Sequence, residues 1–493
     1  MFQACKQMQK TVSKIILQKI QEEYGQRASS SHMERVLYSR DLAPVPSLLV
    51  DPLFHTLPDL IVCPIDTEEV MTLVQLASTE GIPITPRAGA TTVFFNSVPV
   101  KGGIVMDLNQ LNGIVDLDGT DLTVTVKAAT TWSELESYLN RKGFACKSMP
   151  SSAPAATVGG WFCMMGYGIG SLKYGDLLSQ IRAIKVVLPD GSAVSVSSAS
   201  DPPLKWFAAS EGTLGIITEV KLEIRKLSGM KHFLLRVPNI RHAVLFINDI
   251  IIDEKSRPYN LHFSDQYYVK MVHDLGLSEM NLESGCLVAI DAEGSDKELA
   301  QAEETVGHMS KKHAAILLTE AQADAEWTER FKSIRLKRGG PSLLGGEVLL
   351  PVDSLMGYLE DIKKISDGYG VHLMSYGHVI SPTQATVMTS FFTDERRTLQ
   401  YMLSLALVKK IQDAGYRHGG CPYGVGLWNT PYIKRIYTSS DLKLLRKRKS
   451  KMDPKDIMNP GKLYRAPLIL NPLFFHTGME AFALLRRVFR NGR

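Results

Sequence analysis

Pro86-Arg87-Ala88-Gly89-Ala90-Thr91-Thr92 is the stretch of sequence on which the fold depends. Apolar segments flank it, and they predict one strand over residues 82–85 and the next over residues 102–108. Glycine, alanine and threonine let backbone N–H groups approach a ligand closely, and two hydroxyls and Arg87 add donors that suit a pyrophosphate. The pattern matches neither the G-x-G-x-x-G nor the Walker motif. By itself it is as typical of a plain turn as of a binding loop.

The composition is that of a globular protein with more than one domain. The 493 residues predict two or three domains, and 44% hydrophobic with 22% charged residues is usual for a soluble chain. The net charge of +5 is spread too evenly for a nucleic-acid binder, which concentrates Lys and Arg with aromatic residues. A mildly basic chain favours an anionic cofactor or substrate.

The cysteines are scattered and form no C-x-x-C pair; they are Cys5, Cys63, Cys146, Cys163, Cys286 and Cys421. This spacing argues against a disulfide framework, a zinc ribbon and an iron–sulfur cluster within the chain. We therefore expect a reduced, cytoplasmic setting. No apolar run reaches the length of a membrane span, and the N-terminal residues lack the apolar core of a signal peptide.

The first third of the chain predicts a β-α-β unit after an N-terminal helix and connector at residues 1–58. Residues 60–63 predict a strand, and a helix runs from Thr67, with a hydroxyl cap, to Glu80, where Gly81 ends it. A helix between two strands implies a parallel pair. Strands at residues 114–117 and 122–126 follow, and then a helix from Thr131 to near Gly143.

A second small-residue segment spans residues 150–175 and interleaves glycines with Val158, Trp161 and Phe162. A flexible linker is the alternative, but these apolar residues favour burial. A buried segment of this kind predicts a large flat ligand lying against backbone. Residues 181–188 and 193–196 predict a hairpin around Pro189-Asp190-Gly191, and a strand over 220–224 follows Ser210-Glu211-Gly212-Thr213-Leu214-Gly215-Ile216-Ile217-Thr218-Glu219. Residues 228–420 alternate helices and strands without glycine clusters, as in a second α+β domain.

Four motifs in this order resemble the FAD-linked oxidoreductases of the vanillyl-alcohol oxidase/p-cresol methylhydroxylase superfamily. They are the loop at 86–92, the segment at 150–175, the stretch at 210–219, and Asp453-Pro454 with Asn459-Pro460-Gly461-Lys462. The nearest branch is that of D-lactate dehydrogenase and glycolate oxidase flavoprotein subunits. The resemblance implies an α+β fold, with a two-subdomain PCMH-type FAD-binding domain at 59–227 and an α+β cap (substrate) domain at 228–420. The chain then returns to the FAD domain at 421–465, and residues 466–493 form a tail.

The resemblance also implies which residues contact FAD. Arg87 to Thr92 hold the pyrophosphate, the segment from 150 to 171 follows the flavin and ribityl chain, the stretch after Glu211 flanks the adenine side, and Asn459 and Lys462 reach the isoalloxazine edge. The full set is Pro86, Arg87, Ala88, Gly89, Ala90, Thr91, Thr92, Pro150, Thr157, Gly159, Gly160, Gly166, Gly170, Ser171, Glu211, Gly212, Gly215, Ile217, Asn459 and Lys462.

The sequence departs from the family pattern in two places, and each departure leads to an expectation. Covalent members often have a histidine in or near the first loop, and residues 86–100 contain none, so we expect noncovalent FAD. Metal-dependent members carry a His-rich loop and a later Glu-His pair. Here only His378 remains in the first, and in the second His418 is displaced and the Glu is absent. We therefore expect no metal site.

The expected activity is oxidation of a lactate- or glycolate-like 2-hydroxy acid by hydride transfer to FAD. Arg330, after Trp327, is the candidate carboxylate-binding residue, and His378 is the candidate proton acceptor. A solvated helix face for Arg330 and a structural role for His378 stay open, and Tyr423 and Trp428 line the flavin pocket or fill core. The alternatives are an alcohol or phenol oxidoreductase and a degenerate electron-transfer subunit.

The expected partner is a separate electron-acceptor protein, such as an iron–sulfur protein, and no nucleic acid is expected. The tail carries an apolar stripe with nearby arginines, formed by Met479, Phe482, Leu485, Val488 and Phe489. Such a stripe suits peripheral contact with the inner face of a membrane or with a partner, and packing on the protein's own body is the alternative. The basic run from Lys443 to Lys451 is most simply a solvated helix face.

Overall fold

The computed structural model describes residues 14–44, 50–252, 257–278, 285–463, 470 and 476–480. Its helices are α1 Lys14–Tyr24, α2 His32–Tyr38, α3 Thr67–Glu80, α4 Trp132–Asn140, α5 Val158–Met164, α6 Ser171–Tyr174, α7 Leu177–Gln180, α8 Ile240–Ile250, α9 Gln266–Asp274, α10 Asp296–Lys312, α11 Glu320–Thr328, α12 Leu355–Tyr369, α13 Thr398–Arg417, α14 Ile433–Ile436 and α15 Ser439–Met452. Its strands are β1 Ala28–Ser29, β2 Leu60–Val62, β3 Ile84–Arg87, β4 Ile104–Asp107, β5 Ile114–Asp118, β6 Thr123–Lys127, β7 Phe144–Cys146, β8 Ile181–Val187, β9 Ala193–Ser197, β10 Ile216–Lys226, β11 Gly229–Val237, β12 Asn260–Ser264, β13 Cys286–Gly294, β14 Ile316–Leu317, β15 Ser342–Pro351, β16 Met374–Ser381, β17 Gln384–Thr393 and β18 Cys421–Pro422.

The first sheet has the order β1-β2-β4-β3 and contains the predicted β-α-β unit. Strands β2 and β3 both run parallel to β4, which lies between them, so the expected parallel arrangement is confirmed. Gly81 ends α3 in the left-handed region, with φ of 67°. The predicted hydroxyl cap is wrong: the Asp66 carboxylate caps α3 by accepting from the Glu69 N–H, since Thr67 is already the first helical residue.

The second sheet is antiparallel and has the order β5-β6-β10-β8-β9, with β7 on the end of β10. The predicted hairpin is its β8–β9 pair. Three short helices lie between β7 and β8, and the first two, α5 and α6, belong to the small-residue segment. The linker alternative is wrong because Val158, Phe162 and Ile169 are at most 1% exposed. These side chains join the core of the second sheet. The segment is therefore a fixed wall of this subdomain.

The third sheet has the order β14-β11-β13-β12-β16-β17-β15-β18, and all its strand pairs are antiparallel. Helices α8, α10, α12 and α13 contribute to one core with it. Its register sets His262 opposite His378 and Glu347 opposite Met388. The sheet thus brings His262 and His378 together although they are more than a hundred positions apart in the chain.

The chain returns to the first sheet after β18. The Ile84 N–H donates to the Ile457 carbonyl at 2.7 Å, and the Asn459 N–H donates to the Ile84 carbonyl at 2.7 Å, so the Met458 segment extends the sheet beside β3. The sequence predicts a solvated face for the basic helix α15, but part of this helix is buried. Lys449 is buried, pairs with Asp453 and donates to the carbonyls of Thr213 and Met458. It fastens the returning segment to the 210–219 loop.

Most of the tail lies outside the described residues, including Phe482, Leu485, Val488 and Phe489 of the predicted apolar stripe. Residues 476–480 are helical, Met479 is buried, and Glu480 pairs with Lys409 on α13 at 2.6 Å. This short part of the tail packs on the protein's own body. No helix within the described ranges is both long and apolar enough to cross a bilayer.

Candidate functional site

A cavity of about 380 Å³ opens where the three sheets and the returning segment meet. One part of its wall is the loop after β3 with residues 94–97, and another is the 150–167 segment with the loop before β10. The cap contributes residues of β15, β16 and β17, and the returning segment contributes Tyr423, Trp428, Asn429 and Asn459. The lining mixes backbone, aromatic rings and a few polar groups, which is the usual character of a cofactor or substrate site.

The loop after β3 presents unused backbone donors. Within the described chain, the N–H groups of residues 88–92 donate to no protein acceptor. Ala90 has a positive φ of 47°, which is uncommon for a residue with a side chain and is typical of functional loops. A Cβ on Gly89 would lie 1.9 Å from the Ala155 carbonyl oxygen, so only glycine lets this loop approach the second segment. Such a row of free N–H groups is suited to an anion.

The Arg87 side chain holds this loop in place. Its Nη1 donates to the Arg40 carbonyl at 2.7 Å, and its guanidinium lies 5.1 Å from the Tyr38 ring centroid. Burial lowers the pKa of Arg87, against the attraction of Asp41, Tyr38 and Asp107. The side chain therefore ties the N-terminal connector to the loop while its backbone lines the cavity.

Polar atoms around the cavity fit a large ligand with both polar and apolar parts, as FAD has. Six buried oxygens of lining residues have no hydrogen-bond partner among the described residues: Ser97 Oγ, Glu211 Oε2, Tyr268 Oη, Gln412 Oε1, Asn429 Oδ1 and Asn459 Oδ1. Buried polar groups left unpaired are costly, so a bound molecule that supplies their partners is the simplest account. Together with the free N–H groups of the loop, they offer both donors and acceptors to a molecule bound in the cavity.

Most of the predicted cofactor residues lie on this cavity. The lining ones are Pro86, Arg87, Ala88, Gly89, Ala90, Thr91, Thr92, Pro150, Thr157, Gly159, Gly160, Glu211, Gly212, Gly215, Ile217 and Asn459. Glu211 is buried, and its Oε1 accepts from the Gly426 N–H at 2.8 Å, which holds the returning segment. Burial raises the pKa of Glu211 to about 7.

The other four predicted cofactor residues do not line the cavity but lie behind the residues that do. A Cβ on Gly166 would lie 1.8 Å from Trp161 Nε1, and one on Gly170 would lie 2.2 Å from the Lys147 carbonyl oxygen. Ser171 Oγ accepts from the Gly168 N–H at 3.1 Å. Lys462 donates to the carbonyls of Phe95 and Val98 beneath the first loop. These residues shape the backbone that forms the wall.

Arg330, the predicted carboxylate-binding residue, is not brought to the cavity. Its guanidinium lies over the rings of Trp327 and Phe331, 4.2 and 4.5 Å from their centroids, and Nη1 donates to the Trp327 carbonyl at 2.7 Å. Burial lowers the pKa of Arg330. The side chain is held within the cap, on the side of Tyr259.

His378, the predicted proton acceptor, lies one layer behind the lining. Its Nε2 is hydrogen-bonded to the hydroxyl of Tyr376, a lining residue. On its other side is His262, whose Nε2 lies 3.6 Å from Glu326 Oε1. Burial, and then His262, lower the pKa of His378 to about 3, so the ring is neutral at physiological pH.

The surroundings of the histidines do not amount to a metal site. No group of three or more His, Cys, Asp or Glu side chains in the described ranges is arranged to hold a metal ion. His418, the other histidine considered from the sequence, is remote from the cavity lining and lies 3.2 Å from Asp361 on α12.

The sequence analysis missed the polar residues on the cap wall. Glu347, Gln412, Tyr268 and Tyr376 all line the cavity, as do the anticipated Tyr423 and Trp428. Glu347 is the one charged residue of the strand Ser342–Pro351, which is otherwise apolar apart from its first serine. A lone carboxylate in an apolar strand was an available signal. Gln412 gave none, because it sits among polar residues of a long helix.

Comparisons with known proteins match this architecture. Residues 58–197 match the FAD binding domain, and residues 228–463 match the C-terminal domain of FAD linked oxidases. The chain is 26% identical to the glycolate oxidase subunit GlcD of Bacillus subtilis, over 91% of this chain and 96% of the relative. It is 25% identical to the mitochondrial D-lactate dehydrogenase [cytochrome] of Arabidopsis thaliana, over 83% and 74%.

Two solved structures share the fold. An alkyldihydroxyacetonephosphate synthase superposes with a TM-score of 0.75 at 20% identity, over 92% of this chain and 86% of that one. A p-cresol methylhydroxylase with substrate bound superposes with a TM-score of 0.74 at 16% identity, over 92% and 96%. These likenesses identify the PCMH-type fold.

Proposed function

The chain belongs to the FAD-linked oxidoreductases, whose cofactor is FAD, and from this premise we propose that it is a dehydrogenase that oxidises a CH–OH group and passes the electrons to a separate acceptor protein. The observation that carries the proposal is a continuous cavity, which reaches from the loop at 86–92 to the cap wall. It offers one space in which a flavin and a substrate meet.

The cofactor half of the cavity consists of backbone and small side chains. We assign the free N–H groups of residues 88–92 to the pyrophosphate, and Thr157, Gly159 and Gly160 to the flavin and its ribityl chain. The Glu211–Ile217 loop flanks the adenine side, and Asn459 lies toward the isoalloxazine edge. FAD bound here supplies a two-electron oxidant, and the protein supplies position and exclusion of water.

The names of the relatives support a 2-hydroxy acid as substrate, because they include a glycolate oxidase subunit and D-lactate dehydrogenases. For such a substrate the sequence assigns the carboxylate to Arg330 and the hydroxyl proton to His378. In this structure Arg330 is stacked on Trp327 outside the cavity lining, and His378 reaches the cavity only through Tyr376. Transfer of the electrons to a separate acceptor protein is part of the same proposal.

A neutral alcohol or phenol is the second candidate substrate, and a specific observation favours it. Arg330 is held away from the cavity by Trp327 and Phe331, and the cap wall carries a carboxylate, Glu347. A carboxylate substrate is poorly served by such a wall.

Anaerobic flavin bleaching tests the proposed function. Purified protein loaded with FAD is mixed without oxygen with glycolate, D-lactate, simple alcohols and phenols, and the flavin absorbance is followed. We expect at least one compound that carries a CH–OH group to bleach the flavin. Bleaching by a reduced donor protein alone would contradict the proposal and identify an electron-transfer subunit.

A further inference from the structure

The connector that precedes the FAD-binding domain forms part of the cavity wall. Leu42 and Pro44 line the cavity, although the match to the FAD binding domain begins only at residue 58. We call residues 40–44 the strap. The carboxylate of Asp41 accepts from the Ala43 N–H at 2.9 Å, which folds the strap into a turn between its two lining residues. The wall therefore includes a segment that lies outside the matched family domain.

Ala43 packs the strap in place. This side chain is 7% exposed and belongs to one apolar cluster with Phe95 and Val98, which lie between β3 and β4, and with Leu427 of the returning segment. Within the described chain, residues 40–44 belong to no helix or strand and make no backbone-to-backbone hydrogen bond. The strap is thus a part of the wall that side-chain contacts hold in position.

On the side of the FAD-binding domain, charged groups hold the strap. Arg87 Nη1 donates to the Arg40 carbonyl at 2.7 Å. Burial raises the pKa of Asp41, and the nearby cations of Lys462 and Arg87 oppose this rise by attracting the carboxylate. Arg87 directly precedes the free N–H groups of residues 88–92. The strap therefore lies beside the part of the cavity that we assign to the pyrophosphate.

On the side of the cap, two side chains donate to the backbone of the strap. Lys337 Nζ donates to the Leu42 carbonyl at 2.7 Å, and the hydroxyl of Tyr401 on α13 donates to the Pro44 carbonyl. Lys337 itself lines the cavity, whereas Tyr401 is 1% exposed and lies outside the lining. With Arg87, three donors contact three different carbonyls of the strap. The strap therefore links the cap to the FAD-binding domain at the cavity wall.

We propose that the strap is a gate for the cofactor: it closes over FAD at the pyrophosphate end, and its detachment from the cap releases FAD. A molecule as long as FAD leaves an enclosed site only when a segment of the wall moves. The strap is suited to that movement, because a few side-chain contacts hold it, whereas ladders of backbone hydrogen bonds hold the strands of the cap wall. The inference concerns retention of the cofactor and is independent of the substrate and of the dehydrogenase proposal.

Tyr401→Phe tests the gate, because this residue does not line the cavity and can act on FAD only through the strap. After dilution of the FAD-loaded protein, we expect the variant to release FAD about 3- to 10-fold faster, the effect of one lost hydrogen bond, as followed by the fluorescence of free flavin. The matched control is Tyr24→Phe in the core of the first sheet, where the hydroxyl donates to the Glu69 carbonyl at 3.3 Å. The control should release FAD at the unaltered rate, and an unchanged rate in Tyr401→Phe overturns the proposal.

Lys337→Met removes the second donor of the cap and should speed FAD release by a similar factor. The matched control is Lys455→Met, because Lys455 Nζ also donates to a carbonyl, that of Ser78 at 2.5 Å, away from the cavity lining. Since Lys337 lines the cavity, the loss of a direct contact with FAD would also speed release in this variant. Faster release in Lys337→Met with no change in Tyr401→Phe would therefore show a direct contact and overturn the gate.

Limited digestion with trypsin measures the opening of the strap itself. The peptide bond between Arg40 and Asp41 becomes a substrate only when the strap leaves its place in the wall, and the mass of the fragment that begins at Asp41 identifies this cleavage. In the FAD-loaded protein, Tyr401→Phe and Lys337→Met should speed the cleavage after Arg40 by the same factor as the release of FAD. The two control variants should be cleaved there at the unaltered rate.

Two results of the digestion would overturn the proposal. Faster cleavage after Arg40 with an unchanged release of FAD would show that the strap opens without acting as a gate. Equal acceleration at all trypsin sites would show a general loss of stability in place of a local opening. None of these measurements uses a substrate, so a failure of the dehydrogenase proposal in the bleaching experiment leaves the gate standing, and the reverse also holds.

Discussion

His378 shows what a buried histidine does when no acid neutralises it directly. Burial, with His262 as its neighbour, holds the pKa of His378 near 3, while an unfolded chain protonates this residue near its ordinary value of 6.5. The folded state therefore binds fewer protons than the unfolded state between these two pH values. Stability is fully present above pH 6.5 and is lost as the pH falls toward 3. A base of such low pKa is also poorly matched to proton transfer at neutral pH.

We predict that His378→Leu flattens the acid side of the stability profile. Lowering the pH from 7 to 5 should cost the unaltered protein about 2 kcal/mol of unfolding free energy through this residue, and the variant should lose that part of the slope. Urea unfolding at the two pH values measures it. His418→Leu, at a partly exposed site beside Asp361, is the control and should keep the slope. An unchanged slope in His378→Leu would mean that the ring is protonated in the folded protein.

At the scale of elements, the loop after β3 depends on one close approach. Gly89 lets the loop touch the Ala155 carbonyl, and a Cβ there would lie 1.9 Å from that oxygen. We predict that Gly89→Ala pushes the loop off the 150–157 segment, lowers the FAD content after gel filtration by more than half, and costs about 1–3 kcal/mol of stability.

Gly307→Ala is the matched control, because nothing lies within 4 Å of its Cβ position in the middle of α10. It should retain FAD and gain roughly 0.5–1 kcal/mol, since alanine loses less backbone entropy than glycine in a helix. Full FAD content in Gly89→Ala would show that the loop does not need this contact.

The same elements show which parts of the fold can be predicted from the sequence. The β-α-β unit is readable because α3 has a clear apolar period and Gly81 stops it, and the β8–β9 hairpin is readable from its turn residues. Helix α5 is not readable, because Gly159 and Gly160 disfavour a helix. The Thr157 cap and the burial of Trp161 and Phe162 stabilise it. Local sequence patterns therefore do not predict an element whose formation depends on tertiary packing.

The same distinction between local pattern and tertiary packing applies to the residues of the site. Backbone-lined positions such as Gly89 and Gly159 follow from composition, since small residues mark close approach. The presence of Glu347 and Gln412 in the lining does not, because it depends on the register of β15 in the cap sheet and on which face of α13 packs against it. Arg330 is predicted because the segment from Trp327 to Phe331 resembles the one in which the family places its carboxylate-binding arginine. Such a resemblance cannot show that the guanidinium turns back onto the Trp327 ring.

At the scale of the whole molecule, the cavity is closed by parts of the chain far apart in sequence. The first two sheets line one side of the cavity, and the cap lines the other side. The returning segment is held by hydrogen bonds from the Gly426 N–H to Glu211 and from the Asn459 N–H to the Ile84 carbonyl. These contacts enclose the cavity that we assign to FAD.

We predict that FAD is tightly held and noncovalent. A covalent link needs an activated nucleophile at the flavin, and the described lining of the cavity contains no histidine. Its thiol, Cys163, is kept protonated because burial raises the pKa to about 12. The hydroxyl of Tyr423 accepts from the Tyr167 N–H at 2.9 Å, and burial raises its pKa also. Acid precipitation should release yellow FAD into the supernatant. Flavin retained in the pellet would contradict the prediction and direct attention to Tyr423 and Cys163, and release of FMN in place of FAD would contradict the pyrophosphate role of residues 88–92.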